Sequence, residues 1–512
     1  MSKKQPSHQF TPDAVRNFDG GGAAAAGPTQ LNETARKVAT QYRRDTMSPV
    51  MVMGVLRLIE FGLLSVAGIG LFAAYVGING GPPWYYPIMI VLASGATVIL
   101  LELTNSYEVA KLRQPIHTMG TILMVWIGTL ALMALLGFFL KISVEFSRFW
   151  LGSWFASGLA LMFVLRLVTA RFVRRWARNG AMERRAVIVG GGQAAEKLIR
   201  EIERQPYNDI RICGIFDDRD NRRSPPIIAG YPKLGNISEL IEFARIARID
   251  MLIVSLPLTA ETRVLSLLKK LWVLPVDIRL SAHSNQLRFR PRAYSFIGAV
   301  PMLDIFDKPI NGWDSVAKRA FDIAFSLLGI IVFSPVMIAT AIAIKLDSKG
   351  PVIFKQKRHG FNNEEIDVYK FRSMFVEQCD PTAKNAVTKN DPRVTRVGRF
   401  IRKTSIDELP QFFNALRGSL SLVGPRPHAV SAQTHHRLYH DIVDGYFARH
   451  RVKPGVTGWA QINGWRGEVD NDEKIRMRTE YDLYYIENWS LLFDLKILFM
   501  TPVRLLNTDN AY

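Results

Sequence analysis

The chain is poor in cysteine and shows no metal-binding pattern. Only Cys213 and Cys379 occur in 512 residues, far apart and in different segments. Two such residues form neither a disulfide framework nor a zinc cluster, and no histidine spacing resembles a zinc site. The soluble parts are therefore expected in a reducing, cytoplasmic compartment.

The first residues do not resemble a cleavable signal sequence. Residues 1–45 are largely polar, contain the low-complexity run 20–27, and include no apolar stretch before a small-residue cleavage site. This composition favours a disordered N-terminal tail over residues 1–45.

Acidic residues are scarce relative to basic ones. Lys and Arg number 65 against 45 Asp and Glu, which gives a formal net charge of +20. A negatively charged partner is expected, and nucleic acid, anionic lipid and phosphate-rich substrates all qualify. Hydrophobic residues make up 48% of the chain, so membrane segments are expected as well.

Four apolar runs lie near 50–78, 87–103, 118–140 and 150–169. Each is close to the roughly 20 residues that a spanning helix needs. Basic residues precede the first run, join the second to the third and follow the fourth, whereas the first loop has none. Because short cytoplasmic loops are enriched in Lys and Arg, we predict a four-helix transmembrane region over 46–172 with both ends in the cytoplasm.

Residues 183–300 alternate short apolar strands with helical patterns, which predicts a Rossmann-like, doubly wound domain. Its first turn carries Gly190 and Gly192, close to the dinucleotide fingerprint, and Asp217 ends the next strand, where a ribose contact is expected. These three residues are candidates for nucleotide binding. Glycines at such a turn also serve tight packing alone, so this alternative stays open.

Residues 320–344 form a fifth apolar run, with Ser334 and Pro335 at its middle and basic residues on both flanks. A straight crossing would put the second basic flank outside the cell, against the positive-inside tendency. Proline removes a backbone donor and breaks a helix. We therefore predict a re-entrant helix over 311–347, broken at this pair, that enters and leaves on one membrane face. A plain span is the alternative.

The last segment, 348–512, is basic and dense in charged motifs. Cations, prolines and glycines recur around one acidic pair, Asp407 and Glu408. The motifs lie at 368–374, 402–410, 423–428 and 453–463. This combination is typical of a site for a phosphorylated substrate and a hard cation. We interpret the segment as an α/β catalytic domain that the re-entrant helix anchors.

The acidic pair has two interpretations. Ser405 precedes Glu408 by three residues, which matches a helix capping box. The neighbouring Arg402 and Pro410 favour chemistry instead. Two adjacent carboxylates can have different roles. Either Asp407 or Glu408 can coordinate Mg²⁺ while the other attacks a phosphorus atom.

Three further cations are candidate phosphate ligands. Arg426 lies between Pro425 and Pro427, whose restricted backbone presents its guanidinium as a fixed fork. Lys370 and Arg372 alternate with aromatic residues in a strand-like pattern, which places both cations on one face. A rigid turn that contains an arginine, and an ordinary solvated strand face, are the alternatives.

Together these motifs resemble those of the bacterial sugar transferases, or polyprenyl-phosphate glycosyl-1-phosphate transferases, of the large undecaprenyl-phosphate glucose phosphotransferase type. The resemblance covers the four spans, the nucleotide-fold domain, the re-entrant helix and the catalytic segment. The signatures that carry it lie in their usual order at 350–356, 370–374, 407–411 and 425–427.

The resemblance implies that a sugar 1-phosphate, by preference glucose 1-phosphate, passes from a UDP-sugar to undecaprenyl phosphate with release of UMP. This would be the first membrane step of exopolysaccharide or capsule biosynthesis. Asp407 would form a covalent phospho-sugar intermediate, and Glu408 would ligate Mg²⁺. Residues that would neutralise or bind the substrates are Lys370, Arg372, Arg402, Arg426, Pro425, Pro427, Gln356 and Arg358.

The implied partners are the UDP-sugar, the polyprenyl phosphate and membrane lipid, and no nucleic acid is expected. The implied location is the bacterial inner membrane, with the catalytic domain on the cytoplasmic face. Three questions stay open: which sugar is used, whether the chain forms a homo-oligomer, and whether the middle domain regulates, oligomerises or binds a nucleotide.

Two rival classes of function remain. A membrane-anchored nucleotide-sugar dehydratase or epimerase needs a Tyr-x-x-x-Lys pair after the glycine turn, and none follows Gly190. A non-enzymatic polysaccharide-assembly scaffold would use the spans but leaves the ordered motifs of the last segment unexplained.

Overall fold

The chain falls into two compact units. One comprises Thr46–Glu183, and the other comprises Met1–Asp45 together with Arg184–Tyr512. The computed structural model describes residues 12–16, 18, 30–42, 49–76, 84–107, 111–112, 115–141, 146–178, 183–204, 210–220, 222–257, 260–281, 294–297, 300–376, 391–428, 433–434, 437–443, 445–467 and 471–506.

Two short helices come first and belong to the larger unit: α1 (Pro12–Arg16) and α2 (Glu33–Gln41). The smaller unit is a helical bundle. Its helices are α3 (Pro49–Tyr75), α4 (Tyr85–Leu103), α5 (Pro115–Phe139) and α6 (Arg148–Arg178). α3 packs against α4 and α6, and α5 also packs against both, so the bundle is closed.

Tryptophans fill the core of this bundle. Trp150 and Trp154 donate their indole N–H groups to the carbonyls of Gly68 and Leu64, at 3.1 and 2.9 Å. A Cβ atom at Gly68 would lie 2.9 Å from the Trp154 ring, so only glycine lets α3 and α6 approach this closely. The rings fill the core, and their N–H groups find backbone partners there.

One ion pair is buried inside the bundle. The Arg166 guanidinium contacts the Glu60 carboxylate at 2.9 Å, and the Tyr107 hydroxyl donates to the same carboxylate at 2.5 Å. Glu60 and Arg166 are each 1% exposed. Charges in so apolar a setting must be paired, so this contact fixes α3 against α6.

A mixed sheet forms the middle of the larger unit. Its parallel strands, in spatial order, are β4 (Tyr231–Gly235), β2 (Ile210–Phe216), β1 (Arg184–Val189), β5 (Met251–Val254) and β6 (Asp277–Ser281). The antiparallel edges are β3 (Ile227–Ile228) on one side, and β8 (Val300–Phe306) and β7 (Tyr294–Ile297) on the other. The domain is α/β as predicted, but its edges make the sheet mixed.

Helices cover both faces of this sheet: α7 (Gly192–Glu203), α8 (Ile237–Ile246) and α9 (Glu261–Leu271). In β1, Val187 and Val189 pack with α8 and α9, whereas Ala186 and Ile188 pack with α7. Successive side chains of a strand point to opposite faces, so an all-apolar strand needs cover on both.

The N-terminal helices pack onto the α8 and α9 side of the domain. Val15, Ala35 and Ala39 are fully buried there. Asn32 caps α2 and donates its side-chain amide to the Leu234 carbonyl at 2.5 Å. The prediction of a disordered tail over 1–45 is wrong for these helices, because small apolar residues four apart give α2 a packing face. The low-complexity run 20–27 lies outside the described residues.

The catalytic segment begins with the long helix α10 (Gly312–Asp347) and the hairpin β9 (Ile353–His359) and β10 (Glu365–Phe371). Next come α11 (Arg396–Lys403), α12 (Gln411–Arg417), β11 (Ser421–Val423), β12 (Gln433–Thr434), β13 (Arg437–Leu438) and α13 (Tyr439–Ile442). The segment ends with β14 (Gly455–Thr457), α14 (Trp459–Ile462), α15 (Asp472–Glu487) and α16 (Leu491–Leu506), and β11 pairs with β14 in parallel. Short 3₁₀ helices lie at Phe361–Asn363, Ile406–Glu408 and Tyr446–Arg451.

Both ends of α10 are bound by this segment. Near its start, Lys318 donates to the Val423 carbonyl at 3.0 Å and to Asp494 at 2.6 Å. Near its end, the Asp347 carboxylate accepts from the Val397 backbone N–H at 3.1 Å, in the first turn of α11. The helix therefore lies along the catalytic segment.

The outer side of α10 is apolar. Side chains that are about half exposed or more include Leu327, Leu328, Ile331, Val332, Ile338 and Ile342. Within the described residues, α10 and the four bundle helices are long and apolar enough to cross a membrane.

The helical pattern of α10 continues through Pro335. Proline leaves the carbonyl four residues earlier, that of Ile331, without its N–H partner. The Ser334 hydroxyl donates to that carbonyl at 2.8 Å and replaces the missing bond. The predicted break of the helix at this pair is therefore wrong, because the serine compensates for the proline.

We expect Lys318→Met to destabilise the larger unit strongly. The change leaves Asp494 and Asp322 buried without their cation, which lies 2.6 and 3.4 Å away in the parent. Breaking a buried pair on one side costs about 3–5 kcal/mol. Thermal unfolding of the detergent-solubilised protein measures the loss.

The matched control is Lys357→Met, which breaks the exposed pair between Lys357 and Glu365. Surface pairs contribute little, so its unfolding midpoint should stay near that of the parent. Equal losses for the two variants would contradict the importance of the buried contact.

Candidate active site

The acidic pair lies in the 3₁₀ helix Ile406–Glu408, directly after α11. Ser405, which precedes it, has the left-handed φ of 59°, a conformation that L-residues other than asparagine and aspartate rarely adopt. The Ser405 side chain makes no capping bond, and its hydroxyl accepts from Arg466 instead. The capping-box interpretation is therefore wrong, and the turn is strained next to two carboxylates.

Glu408 is held by two cations. Arg426 contacts both of its carboxylate oxygens, at 2.5 and 3.2 Å, and Lys370 donates to it at 3.0 Å. Burial alone would raise the pKa of Glu408, but Arg426 and Lys370 hold this pKa well below its usual range. Glu408 is consequently ionised and tied to two separate chain segments.

Asp407 has a different environment. Its side chain is 9% exposed, and no hydrogen bond joins its carboxylate to another described residue. Burial raises the pKa of Asp407 to about 6, against the opposing effect of Lys370, and the neighbouring Glu408 adds to the rise. At neutral pH this carboxylate is mostly ionised but unpaired, as a nucleophile needs to be.

Arg358 approaches the site from β9. Its guanidinium donates to the Gln356 side chain at 2.7 Å and to the Pro427 carbonyl, so both partners are neutral. Burial and the nearby Arg426 lower the pKa of Arg358 to about 10, which leaves it charged at neutral pH. A cation without a carboxylate partner is prepared to receive an anionic ligand.

Arg402 and Arg466 add to the positive charge around the pair. Arg402, in the last turn of α11, acts on Asp407 electrostatically. Burial and Arg426 lower the pKa of Arg466, and both acidic residues oppose this. Arg466 is not among the predicted site residues, because it lies three residues beyond the motif 453–463 and no local pattern sets it apart from other basic residues.

Arg372 lies elsewhere. It is 3% exposed and donates to the carbonyls of Ser348, Lys349 and Pro351, at 2.8–3.0 Å. These carbonyls follow the end of α10, so Arg372 fixes the exit of that helix. The predicted shared face with Lys370 is wrong because β10 ends at Phe371, and the strand alternation ends with it.

The loop that carries Arg426 is supported by main-chain contacts. The backbone N–H of Gly455 donates to the Pro425 carbonyl at 2.9 Å, and that of Gly424 donates to the Thr457 carbonyl at 2.9 Å. A Cβ atom at Gly455 would lie 2.1 Å from the backbone nitrogen of Gly424. The motif 453–463 therefore packs against the loop that carries Pro425, Arg426 and Pro427 and supports it.

The glycine turn of the middle domain is contacted by the chain's own side chains. The Gly191 N–H donates to the Asp217 carboxylate at 2.8 Å. Arg219 contacts Asp217 at 2.9 Å and donates to the Gly191 carbonyl at 2.7 Å. Nucleotide binding by Gly190, Gly192 and Asp217 stays a prediction, and a phosphate at the Gly191 N–H would have to displace the Asp217 carboxylate.

Two stretches of the chain each match a known family, one over the catalytic segment and one from the end of α4 to the end of β6. Residues 313–508 match the bacterial sugar transferases, and residues 102–282 match a family described as a CoA-binding domain. The first match runs from α10 to α16 and so contains the acidic pair and its cations.

Relatives extend over most of the chain. The UDP-glucose:undecaprenyl-phosphate glucose-1-phosphate transferase of Escherichia coli K12 is 40% identical over 366 residues, which are 71% of this chain and 76% of the relative. Its namesake from Xanthomonas campestris pv. campestris is 36% identical over 75% of this chain and 79% of the relative. The undecaprenyl-phosphate galactose phosphotransferase of Salmonella typhimurium LT2 is 32% identical over 72% and 77%. The chain belongs to the bacterial sugar transferase family.

We expect the Asp407 carboxyl group to titrate near pH 6. Difference infrared spectra should show its protonated carboxyl band disappear as the pH rises through about 6, and Asp407→Asn should lack this step. An Asp367→Asn protein, changed at an exposed position of β10, should retain it. A midpoint near pH 4, the usual value for aspartate, would contradict the described environment.

Proposed function

We propose that this protein transfers glucose 1-phosphate from UDP-glucose to undecaprenyl phosphate, with release of UMP, as an early membrane step of polysaccharide assembly. The observation that carries the proposal is the unpaired, buried Asp407 carboxylate, which lies among several cations beside an already paired Glu408. Family membership supports the same reaction, which the E. coli and Xanthomonas relatives carry in their names.

The transfer proceeds by two displacements at one phosphorus atom. An Asp407 carboxylate oxygen attacks the phosphorus that carries the sugar, the bond to the UMP oxygen breaks, and UMP leaves with that electron pair. Undecaprenyl phosphate then attacks the same phosphorus through an oxygen, and Asp407 leaves as a carboxylate. Both steps depend mainly on positioning and on electrostatic stabilisation.

The cations supply that stabilisation. A diphosphate brings negative charge to a site where Lys370 and Arg426 already hold Glu408. Both have further donors for phosphate oxygens. Arg358, Arg402 and Arg466 have no ion pair with a described carboxylate, so their charge is available to the substrate as well.

The acidic pair also suits Mg²⁺. This ion prefers oxygen ligands and is usually held by one or two carboxylates together with substrate phosphates. Among the described residues no group of three acidic or metal-binding side chains forms a metal cage, so substrate oxygens would complete the coordination. Glu408 would hold the ion, which supplies further neutralisation of the diphosphate when bound.

The membrane contact brings the two substrates together. We propose that α10 bends at Pro335 while staying helical, so that it enters and leaves on the cytoplasmic face of the bacterial inner membrane. Support comes from its two ends, which contact the same catalytic segment at Val423 and Val397, and from its apolar outer side. Exposed Leu492, Phe499 and Val503 of α16 add apolar surface to that segment. A lipid phosphate and a soluble nucleotide sugar meet only near the headgroup plane.

The sugar is assigned by similarity. The relatives that are named for glucose are 40% and 36% identical, whereas the one that is named for galactose is 32% identical. One hydroxyl group distinguishes the two sugars, so UMP release from a panel of UDP-sugars tests the assignment. UDP-glucose should give the highest rate.

We expect the purified protein with Mg²⁺ and sugar-labelled UDP-glucose, without lipid, to retain label after acid trapping. Asp407→Asn should trap none, and its turnover should fall by about 10³-fold or more because the nucleophile is gone. Asp367→Asn, in which an exposed carboxylate is changed, should trap label like the parent. Turnover of Asp407→Asn at the parental rate would exclude this residue as nucleophile.

We expect cysteines at positions 314 and 349, the two ends of α10, to react from the same side of the membrane. The native Cys213 and Cys379 are first replaced by serine, and a membrane-impermeant thiol reagent is applied to inverted and right-side-out vesicles. Both positions should react in inverted vesicles, whereas a cysteine at position 79, in the first predicted loop, should react in the opposite orientation. Reaction of the two ends from opposite sides would establish a plain span.

A further inference from the structure

Arg449 is a buried charge near the active site that the proposed chemistry does not use. It lies in the 3₁₀ helix Tyr446–Arg451 and is 1% exposed. Burying a guanidinium is costly unless all of its surroundings are organised for it. The contacts of the Arg449 side chain therefore indicate its role.

The guanidinium of Arg449 joins the Arg426 loop to α15. One of its terminal nitrogens donates to the Arg426 carbonyl at 2.9 Å and contacts the Asp482 carboxylate at 2.5 Å. The other contacts the imidazole of His428 at 2.5 Å, just beyond the loop. Asp482 is itself buried, so it fixes the guanidinium in one orientation.

Arg451, two residues further along the same helix, points away from the site. Its guanidinium donates to the Asp307 carbonyl at 2.8 Å and lies 5.7 Å from the centre of the Phe306 ring, both in the middle domain. It is 6% exposed, so the two arginines have similar burial and opposite directions. Arg451 is therefore a suitable control for substitutions of Arg449.

We infer that Arg449, held by Asp482, is a positioning residue that fixes the backbone at Arg426 so that the Arg426 guanidinium reaches Glu408 and the substrate phosphates. Arg449 has no role of its own at the phosphate groups, because both of its terminal nitrogens are taken up by the Arg426 carbonyl, Asp482 and His428, and its Nε is buried. Its effect on catalysis passes through Arg426 alone. The catalytic part of the inference rests on the proposed transfer reaction.

Arg449→Lys tests the geometry first, without reference to activity. Lysine keeps the charge but has no planar fork, so it cannot hold the carbonyl and the carboxylate together. Hydrogen exchange at the backbone of 424–428 should become roughly tenfold faster, since a hydrogen bond from a charged donor is lost. Arg451→Lys should leave exchange in this loop unchanged.

A double-mutant cycle then tests the route. With UMP release as the assay, Arg449→Lys should lower kcat/KM by about tenfold in the parent but by less than about twofold in an Arg426→Gln background. Arg451→Lys should leave kcat/KM within about twofold of the parent in both backgrounds. If Arg449→Lys does not fold, Asp482→Asn replaces it, because it releases the same guanidinium.

The possible results distinguish a failure of this inference from a failure of the proposed function. Unchanged exchange at 424–428, or an equal loss of kcat/KM in both backgrounds, overturns the inference. Faster exchange with a loss confined to the parental background supports it. A parent that releases no UMP from UDP-glucose refutes the proposed function, and the exchange measurement still decides whether Arg449 positions the loop.

Discussion

Glu408 accepts hydrogen bonds from both Arg426 and Lys370, and the rest of the active site depends on this pairing. The two cations come from separate parts of the chain, β10 and the loop after β11, so the carboxylate ties these elements together. It also directs the hydrogen bonds of both cations away from Asp407, on which they act only through their charge. One of two adjacent carboxylates is thereby held by two cations, and the other is left ionised without a hydrogen-bonding partner. Identical chemistry in the two side chains yields two roles through environment alone.

The same reasoning connects the site to the helix beneath it. Lys318 of α10 donates to the Val423 carbonyl, two residues before Pro425, and Arg372 fixes the chain where α10 ends. Both ends of α10 are thus bound to elements that carry or border side chains of the candidate site. A displacement of α10 would move Lys370 and Arg426 relative to the acidic turn. The position of the helix and the geometry of the site are for this reason linked.

Short motifs made part of this site predictable. Asp407, Glu408, Arg426 and Lys370 stand in dense local patterns, and the structure brings all four together. Other residues were misjudged because the sequence does not show where an element ends or what a neighbour compensates. Arg372 fell outside its strand by one residue, and Pro335 stays inside a helix because Ser334 supplies the missing hydrogen bond.

Long-range packing was the other limit of sequence reasoning. α2 looks like part of a polar tail until the α8 and α9 side of the middle domain is present to bury Ala35 and Ala39. Arg449 and Arg466 carry no local signal that separates them from the many other basic residues of a chain with a formal charge of +20. Their roles depend on partners that lie far along the sequence, as Asp482 does for Arg449 and Ser405 does for Arg466.

The Arg426 loop is supported by contacts between backbone atoms, because Gly424 and Gly455 pack directly against each other without side chains between them. Contacts of this kind are insensitive to most substitutions, because neighbouring side chains can change without altering the main-chain atoms that meet. They fail abruptly, however, when a single methyl group is added at either glycine. The loop therefore tolerates substitutions of the surrounding side chains but not the replacement of Gly424 or Gly455. The surface around the loop can therefore change while Arg426 keeps its position at the acidic turn.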